Sequence, residues 1–224
     1  MGEGTGVSER VLHDHMNGAQ QGPSDAGGTF AAQMNFLAHL YLSGNDPEVI
    51  VGNFMGDAVK GRDLSRFTPE IERGLRLHRA IDSFTDTHPL VLKGRDRVHP
   101  HAGRYAAVVM DLFYDHLLAA GWDSFHPEPL PLFTRRMYAL LEANEHRMPD
   151  RTRRMLPYMV AGDWLTAYAT LEGIGMALDG LSRRAPRGGP MRGAERVLAG
   201  YRDAYLTEFR HFMPQVMAHT EGYR

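Results

Sequence analysis

The sequence predicts an all-α fold, a single-domain bundle of about seven helices, from its apolar spacing, its helix caps and its lack of strand patterns. Apolar residues recur three and four positions apart through most of the chain, as they do on the buried face of a helix. Asp46-Pro47 and Thr68-Pro69 are typical of helix starts, with a capping side chain before a proline at the first helical position. No stretch alternates apolar and polar residues as a half-buried strand does.

Residues 1–33 are rich in glycine and small polar residues, so we expect a disordered N-terminal extension before a folded domain of residues 34–224. The apolar run 34–42 is too short for its spacing to decide between helix and strand. Pro89 is interpreted as a helix end, followed by a loop that bears Lys93, Arg95 and Arg97. Helices are predicted at residues 47–60, 69–87, 105–120, 132–146, 150–160, 164–181 and from 194 towards 212.

The central predicted helix carries charges inside an apolar run. Asp111 and Asp115 are four residues apart, so both carboxylates lie one turn apart on the same inward face. Burying two like charges is costly unless a cation or a hydrogen-bonded partner balances them. A divalent metal is one solution, and a carboxylate that bonds the end of a neighbouring helix is the other.

Histidines and aspartates recur on the inward faces of three successive predicted helices. His78 and Asp82 are again four residues apart on an apolar stripe, and Asp57 lies beside the stripe of the preceding helix. A lone histidine on such a face is usually a packed core residue, but the recurrence favours a shared metal-binding cleft. Oxygen and imidazole ligands suit Mn²⁺, Mg²⁺ or Fe better than Zn²⁺. His116 is rotated by about 100° from Asp115, so we expect it at the rim of this cleft or packed against another helix.

Composition excludes several classes of site and partner. The 224 residues include no cysteine, which excludes disulfides and thiolate metal ligands. A net charge of −2 argues against nucleic acid as the main partner. No apolar run approaches the roughly 18–20 residues that span a bilayer, and the first residues lack a hydrophobic signal segment, so we expect no membrane contact and a cytoplasmic location.

Arginines are concentrated in two parts of the chain. A solvated surface is the ordinary interpretation of such clusters, and a basic patch that receives an acidic partner or a phosphate is the alternative. The residues are Arg62, Arg66, Arg73, Arg76 and Arg79 in the first cluster and Arg183, Arg184 and Arg187 in the second.

From residue 34 onwards, the chain resembles the acyl carrier protein phosphodiesterase family, also called acyl carrier protein hydrolase. The matching motifs keep the family's order and spacing over about residues 34–220. They are Met-Asn-Phe-Leu-Ala-His at 34–39, Gly-Asn-Phe-Met-Gly-Asp at 52–57 with Val-Lys-Gly at 59–61, Leu-His-Arg-Ala-Ile-Asp at 77–82 with Thr-Asp at 85–86, Asp-Leu-Phe-Tyr-Asp-His at 111–116 with Trp122, and Ser-Arg-Arg at 182–184.

The resemblance implies a divergent, all-helical relative of the HD phosphohydrolases. It implies hydrolysis of the phosphodiester that joins 4′-phosphopantetheine to a serine of holo-acyl carrier protein, with a divalent metal, Mn²⁺ favoured over Mg²⁺ or Fe. It implies that acidic acyl carrier protein binds the arginine clusters. Metal ligands are expected among His39, Asp57, His78, Asp82, Asp111 and Asp115, and catalytic residues among His78, Asp82 and His116, with either histidine as proton donor to the serine oxygen.

Two other functions stay open at this point. One is a phosphohydrolase of the HD type that acts on a nucleotide or another small phosphoester. The other is a non-enzymatic helical binding module, in which the inward carboxylates would hold no metal.

Overall fold

A computed structural model describes residues 35–223, which are all-helical and contain no strand. The predicted fold class is therefore confirmed, but the predicted number of about seven helices is wrong, because these residues form eleven α-helices. The prediction of a disordered extension over residues 1–33 lies outside the described residues. The helices are α1 (Phe36–Leu42), α2 (Pro47–Phe54), α3 (Pro69–Thr87), α4 (Pro89–Ala102), α5 (Ala106–Ala120), α6 (Leu130–Ala143), α7 (Asp150–Ala161), α8 (Trp164–Ala167), α9 (Leu171–Arg184), α10 (Glu195–Gly200) and α11 (Arg202–Thr220).

The two helix starts predicted at Pro47 and Pro69 are confirmed by their capping side chains. The Asp46 side chain accepts from the backbone N–H groups of Glu48 and Val49 at the start of α2. The Thr68 side chain accepts from the N–H of Ile71, and α3 then runs over the predicted residues 69–87. The first of these helices is shorter than the predicted 47–60, since α2 ends at Phe54 and a 3₁₀ turn, Gly56–Ala58, follows it.

The segment after Pro89 is a helix, so the prediction of a loop there is wrong. Pro89 occupies the first turn of α4, where a missing N–H costs nothing, and the His88 side chain accepts from the N–H of Leu90. Arg97 consequently projects from a helix and pairs with the carboxylate of Glu208 on α11 at 2.7 Å. This ion pair joins α4 to the last helix of the bundle.

Two predicted long helices are each divided in the structure. Residues 164–181 form α8 and α9, because the Thr170 side chain accepts from the N–H of Gly173 and starts a new helix. Residues 194–212 form α10 and part of α11, which continues to Thr220 with Pro214 inside it. These divisions, together with α4, account for most of the difference in helix number.

Helix α5 is the central helix of the bundle. Nearly every residue of it is buried, including Phe113 and Leu118 at 0% exposure, and α1, α4 and α9 pack around it. A helix that is apolar on all sides is typical of a core position. None of the helices in the described part of the chain is long and apolar enough to cross a membrane.

Helices α2 and α3 pack unusually closely because glycines face each other where they cross. A Cβ atom added at Gly52 would lie 2.3 Å from the carbonyl oxygen of Ile71, and one added at Gly74 would lie 2.2 Å from the carbonyl oxygen of Val49. Only hydrogen atoms fit between these backbones. The contact fixes the distance between the two helices that carry most of the candidate site.

We expect Gly74→Ala to destabilise the fold by about 1–3 kcal/mol, the usual cost of forcing extra volume into a packed core. The added methyl group can be accommodated only by separating α2 from α3, because its nearest neighbour is backbone. The measurement is urea unfolding followed by circular dichroism. Gly200→Ala is the control, since a Cβ there meets nothing within 4 Å, and a loss of stability no larger than in this control would contradict the prediction.

Candidate metal centre

Two histidines and one aspartate meet between α1 and α3. His39, His78 and Asp82 each offer one ligand atom, and these atoms lie within 4.8 Å of one another. His39 Nε2 is 3.2 Å from Asp82 Oδ1, and His78 Nε2 is 3.2 Å from Asp82 Oδ2. The two imidazole rings stack with their centroids 4.3 Å apart. A single carboxylate therefore faces two parallel imidazoles.

The surrounding backbone leaves room for this arrangement. His78 and Asp82 are one turn apart on α3, and His39 reaches them from the short helix α1. A Cβ added at Gly56 would lie 2.2 Å from Cγ of His78, so the His78 ring packs directly on the 3₁₀ turn Gly56–Ala58. The same turn carries Asp57, whose Oδ1 is 3.5 Å from His78 Nε2.

Both histidines use Nδ1 for a hydrogen bond and direct Nε2 at Asp82. His39 Nδ1 lies 2.7 Å from Oδ1 of Asn53, and His78 Nδ1 lies 2.9 Å from the backbone oxygen of Asn53. A carbonyl oxygen only accepts, so Nδ1 carries the hydrogen in such bonds. In histidines that bind metal, an outer bond of this kind fixes the ring so that the other nitrogen is free to act as ligand.

The atoms that face each other are buried and unsatisfied. Nε2 of His39, Nε2 of His78 and Oδ1 of Asp82 have no hydrogen-bond partner among residues 35–223. Buried polar atoms normally have partners, and these three are all electron donors unless a proton or a cation lies between them. One divalent cation would satisfy all three, and a His₂Asp set is a common ligand set for such ions. The residues thus fit a divalent metal.

The pKa values follow from the same contacts. Burial by itself lowers the pKa of His78, but the carboxylates of Asp57 and Asp82 outweigh burial and raise the pKa to about 9. Burial likewise raises the pKa of Asp82, but His39 and His78 outweigh it and hold the pKa well below its usual range. Without a metal, a proton on His78 therefore supplies the positive charge that the cluster needs at neutral pH.

The two aspartates of α5 have different surroundings, although both were predicted as metal ligands. Asp115 accepts hydrogen bonds of 2.9 Å from the N–H groups of Leu37 and Ala38, and so caps the first turn of α1. Burial raises the pKa of Asp115 to about 8 against the effect of these two bonds. Asp115 thus takes the second of the two solutions considered from the sequence, a bond to a neighbouring helix end.

Asp111 is buried and its Oδ2 lacks a hydrogen-bond partner within the described residues. Burial, followed by the negative charge of Asp82, raises the pKa of Asp111 well above its ordinary value. The carboxyl group borders a small, mainly apolar cavity beside Ile81 and Tyr114. Asp111 is therefore close enough to Asp82 to respond to its charge but lies outside the three-residue group.

His116 lies away from the cluster and packs against another part of the chain. Its Nδ1 donates to the backbone oxygen of Tyr168 at 2.8 Å, and burial lowers the pKa of the ring. Of the two positions expected for His116, the structure has the packed one.

An open cleft leads from the surface to two members of the three-residue group, His78 and Asp82. Its walls combine the acidic and imidazole side chains with cations from the segment after the 3₁₀ turn. Arg79 donates to the backbone oxygen of Gly61 at 2.7 Å, which holds this segment against α3. The side chains that line the cleft include Asp57, Lys60, Arg62, His78, Arg79 and Asp82.

The other arginines predicted to bind a partner lie outside the cleft lining. Arg66 stacks over the ring of Phe67, and Arg76 pairs with Glu72 on its own helix at 2.5 Å. Arg183 pairs with Asp179 at 2.6 Å, and Arg184 is exposed beside it at the end of α9.

Two residues of the site were not predicted from the sequence. Asn53 contacts both histidines, and Lys60 lines the cleft. Both lie inside motifs that carry the family resemblance, at 52–57 and 59–61, so the signal was present. A search for inward acids and histidines does not select an asparagine or a lysine.

Comparison with known proteins agrees with the resemblance seen in the motifs. The family model described as acyl carrier protein phosphodiesterase matches residues 34–216. A protein of that name from Photorhabdus laumondii is 31% identical over 190 residues, which are 84% of this chain and 96% of the relative. Another from Salmonella agona is 31% identical over 186 residues, 83% of this chain and 96% of the relative. No solved structure matches the chain. The chain belongs to the acyl carrier protein phosphodiesterase family.

Proposed function

We propose that this protein hydrolyses the phosphodiester that joins 4′-phosphopantetheine to acyl carrier protein, releasing the apo protein. The observation that carries the proposal is the His39–His78–Asp82 group, of which His78 and Asp82 line a cleft that also carries cationic side chains. Family membership supports the reaction, since the relatives are named acyl carrier protein phosphodiesterase. The all-helical bundle with histidines and aspartates on neighbouring helices also supports the expected relation to the HD phosphohydrolases.

We propose a divalent metal, with Mn²⁺ favoured, as the cofactor. His39 and His78 would hold it through Nε2 and Asp82 through a carboxylate oxygen. Asp57 faces His78 at 3.5 Å, and Asp111 responds to the charge of Asp82, so both are candidates for a further ligand. A bound divalent ion lowers the pKa of water and stabilises charge on a phosphoryl group. Mixed imidazole and carboxylate ligands support an ion of the Mn²⁺ or Fe²⁺ type.

We propose that Asp57, rather than a histidine, takes a proton from the attacking water and returns it to the serine oxygen that leaves the phosphorus. His78 has no free nitrogen when its Nδ1 bonds Asn53 and its Nε2 faces the metal position. His116 is bonded to a backbone oxygen away from the cleft. Asp57 lines the cleft with its side chain 25% exposed, compared with 17% for Asp82, so it is the more accessible carboxyl group to water and substrate.

The cationic walls suit both parts of the substrate. Lys60 and Arg62 are exposed at the cleft and supply positive charge for the phosphodiester or for the acidic surface around the modified serine. Charge complementarity of this kind accelerates association and selects the partner. A small phosphodiester would use the same metal centre but gain little from these outer charges, which separates the two candidate substrates.

The main test is incubation of holo-acyl carrier protein with the protein and Mn²⁺, followed by mass spectrometry. We expect loss of the phosphopantetheine mass, and Asp82→Asn should slow the reaction by more than about 100-fold, because loss of even an outer-sphere partner typically costs 10- to 100-fold. His99→Ala, an exposed histidine on α4, is the control and should retain full activity. An unchanged mass with folded, Mn²⁺-loaded protein would refute the proposed reaction.

Charge reversal tests whether a protein is the substrate. We expect the double variant Lys60→Glu, Arg62→Glu to raise KM for holo-acyl carrier protein by about tenfold or more, since like charges across an interface oppose encounter. Hydrolysis of bis(p-nitrophenyl) phosphate should change much less. Arg210→Glu, an exposed arginine of α11 outside the cleft lining, is the matched control. Equal effects on both substrates would instead favour a small phosphoester as the natural one.

Metal affinity should depend on pH because of His78. Its pKa is raised to about 9 in the metal-free protein, so the ring is protonated at pH 6–8 and must lose that proton to bind a metal. We expect the apparent Kd for Mn²⁺ to fall about tenfold for each unit of rising pH in this range, as exchange of one proton requires. Titration calorimetry in two buffers of different ionisation enthalpy measures the proton released. A Kd that does not change with pH would contradict this protonation state.

A further inference from the structure

Asn53 lies at the C-terminal end of α2 and is fully buried, at 0% exposure. Its two polar groups contact two different histidines. The side-chain Oδ1 bonds Nδ1 of His39 at 2.7 Å, and the backbone oxygen bonds Nδ1 of His78 at 2.9 Å. A single residue thus contacts the outer nitrogen of both histidines among the three candidate metal ligands.

Chemistry fixes which way the Asn53 amide points. Its Nδ2 lies 2.8 Å from the backbone oxygen of His39 and 2.8 Å from Oγ of Ser43. The Ser43 hydroxyl donates to that same backbone oxygen, so its oxygen is free to accept from Nδ2. A backbone oxygen cannot donate, and therefore Nδ2 must be the NH₂ group and Oδ1 the acceptor. His39 must then carry its hydrogen on Nδ1.

We propose that Asn53 is the positioning residue of the metal centre. It holds His39 through its side chain and His78 through its backbone, each with the hydrogen on Nδ1, so that both Nε2 atoms are available to one divalent cation. The partner of the outer nitrogen decides which imidazole nitrogen binds a metal. This inference rests on the proposed metal-dependent function, but it assigns a role to a residue that does not itself contact the ion.

The structure supplies a matched control for the side-chain bond. Ser43 takes part in the same buried hydrogen-bond cluster but does not contact either imidazole ring. Replacing Asn53 by alanine removes the acceptor for His39 alone, because the backbone bond to His78 is retained. Replacing it by aspartate keeps an acceptor for His39 and removes the Nδ2 donor.

The experiment is titration of wild type, Asn53→Ala, Asn53→Asp and Ser43→Ala with Mn²⁺ alone, by calorimetry, with circular dichroism to confirm folding. We expect Asn53→Ala to bind Mn²⁺ about 10- to 100-fold more weakly, the usual effect of removing an outer-sphere partner of a metal-bound histidine. Asn53→Asp and Ser43→Ala should bind Mn²⁺ within about threefold of wild type, because both retain an acceptor for Nδ1 of His39. Wild-type affinity in folded Asn53→Ala would overturn the inference, and so would an equal loss in Asn53→Asp.

A second measurement uses wild-type protein and does not depend on the folding of any variant. Loaded with diamagnetic Zn²⁺, it should show, in proton–nitrogen correlation spectra, a hydrogen on Nδ1 and none on Nε2 of both His39 and His78. A hydrogen on Nε2 of His39 would overturn the inference. Failure of wild type to bind either ion would instead refute the metal centre of the proposed function, which separates the two failures.

Discussion

The close crossing of α2 and α3 is the constraint on which the rest of the site depends. Gly52 and Gly74 allow the two backbones to touch, and Asn53 and His78 follow these glycines by one and four residues. The hydrogen bond between Asn53 and His78 is therefore a direct consequence of the crossing. Gly56 then allows the His78 ring to pack on the next turn. Three glycines without unusual chemistry of their own thus set the position of the His78 ring.

The charges of the cluster explain why such close packing is needed. Two imidazoles with their hydrogens on Nδ1 present lone pairs to the Asp82 carboxylate, an arrangement that is unfavourable until a proton or a cation enters. In a loose site the rings would rotate away from one another. Here the Asn53 bonds and the stacked contact between His39 and His78 prevent that rotation. The fold therefore maintains a geometry that fits a cation and that the side chains would not adopt by themselves.

Much of the fold followed from local signals, and the errors have local causes. The helix predicted at about residues 69–87 is confirmed, because Thr68 and Pro69 mark its start and Pro89 follows its end. Pro89 itself was misinterpreted, since the same residue that ends one helix starts α4 when a capping side chain such as His88 precedes it. Thr170 divides another predicted helix in the same way. A proline or a threonine between two apolar segments can either interrupt a helix or begin a new one. Apolar spacing alone therefore could not decide whether a second helix follows.

At the candidate site, residue spacing predicts which side chains point inward but not which partners they contact. His78–Asp82 and Asp111–Asp115 have the same four-residue spacing, yet Asp82 faces two imidazoles while Asp115 accepts from the amides at the start of α1. Helical periodicity gives the face on which a side chain lies but does not name the element that packs against it. Asp115 nevertheless bears on the site, because the helix that it caps carries His39 only two residues beyond Leu37. The pattern of inward acids therefore predicts the region in which His39, His78 and Asp82 meet, and only tertiary packing separates an acid that faces the proposed metal position from one that supports it.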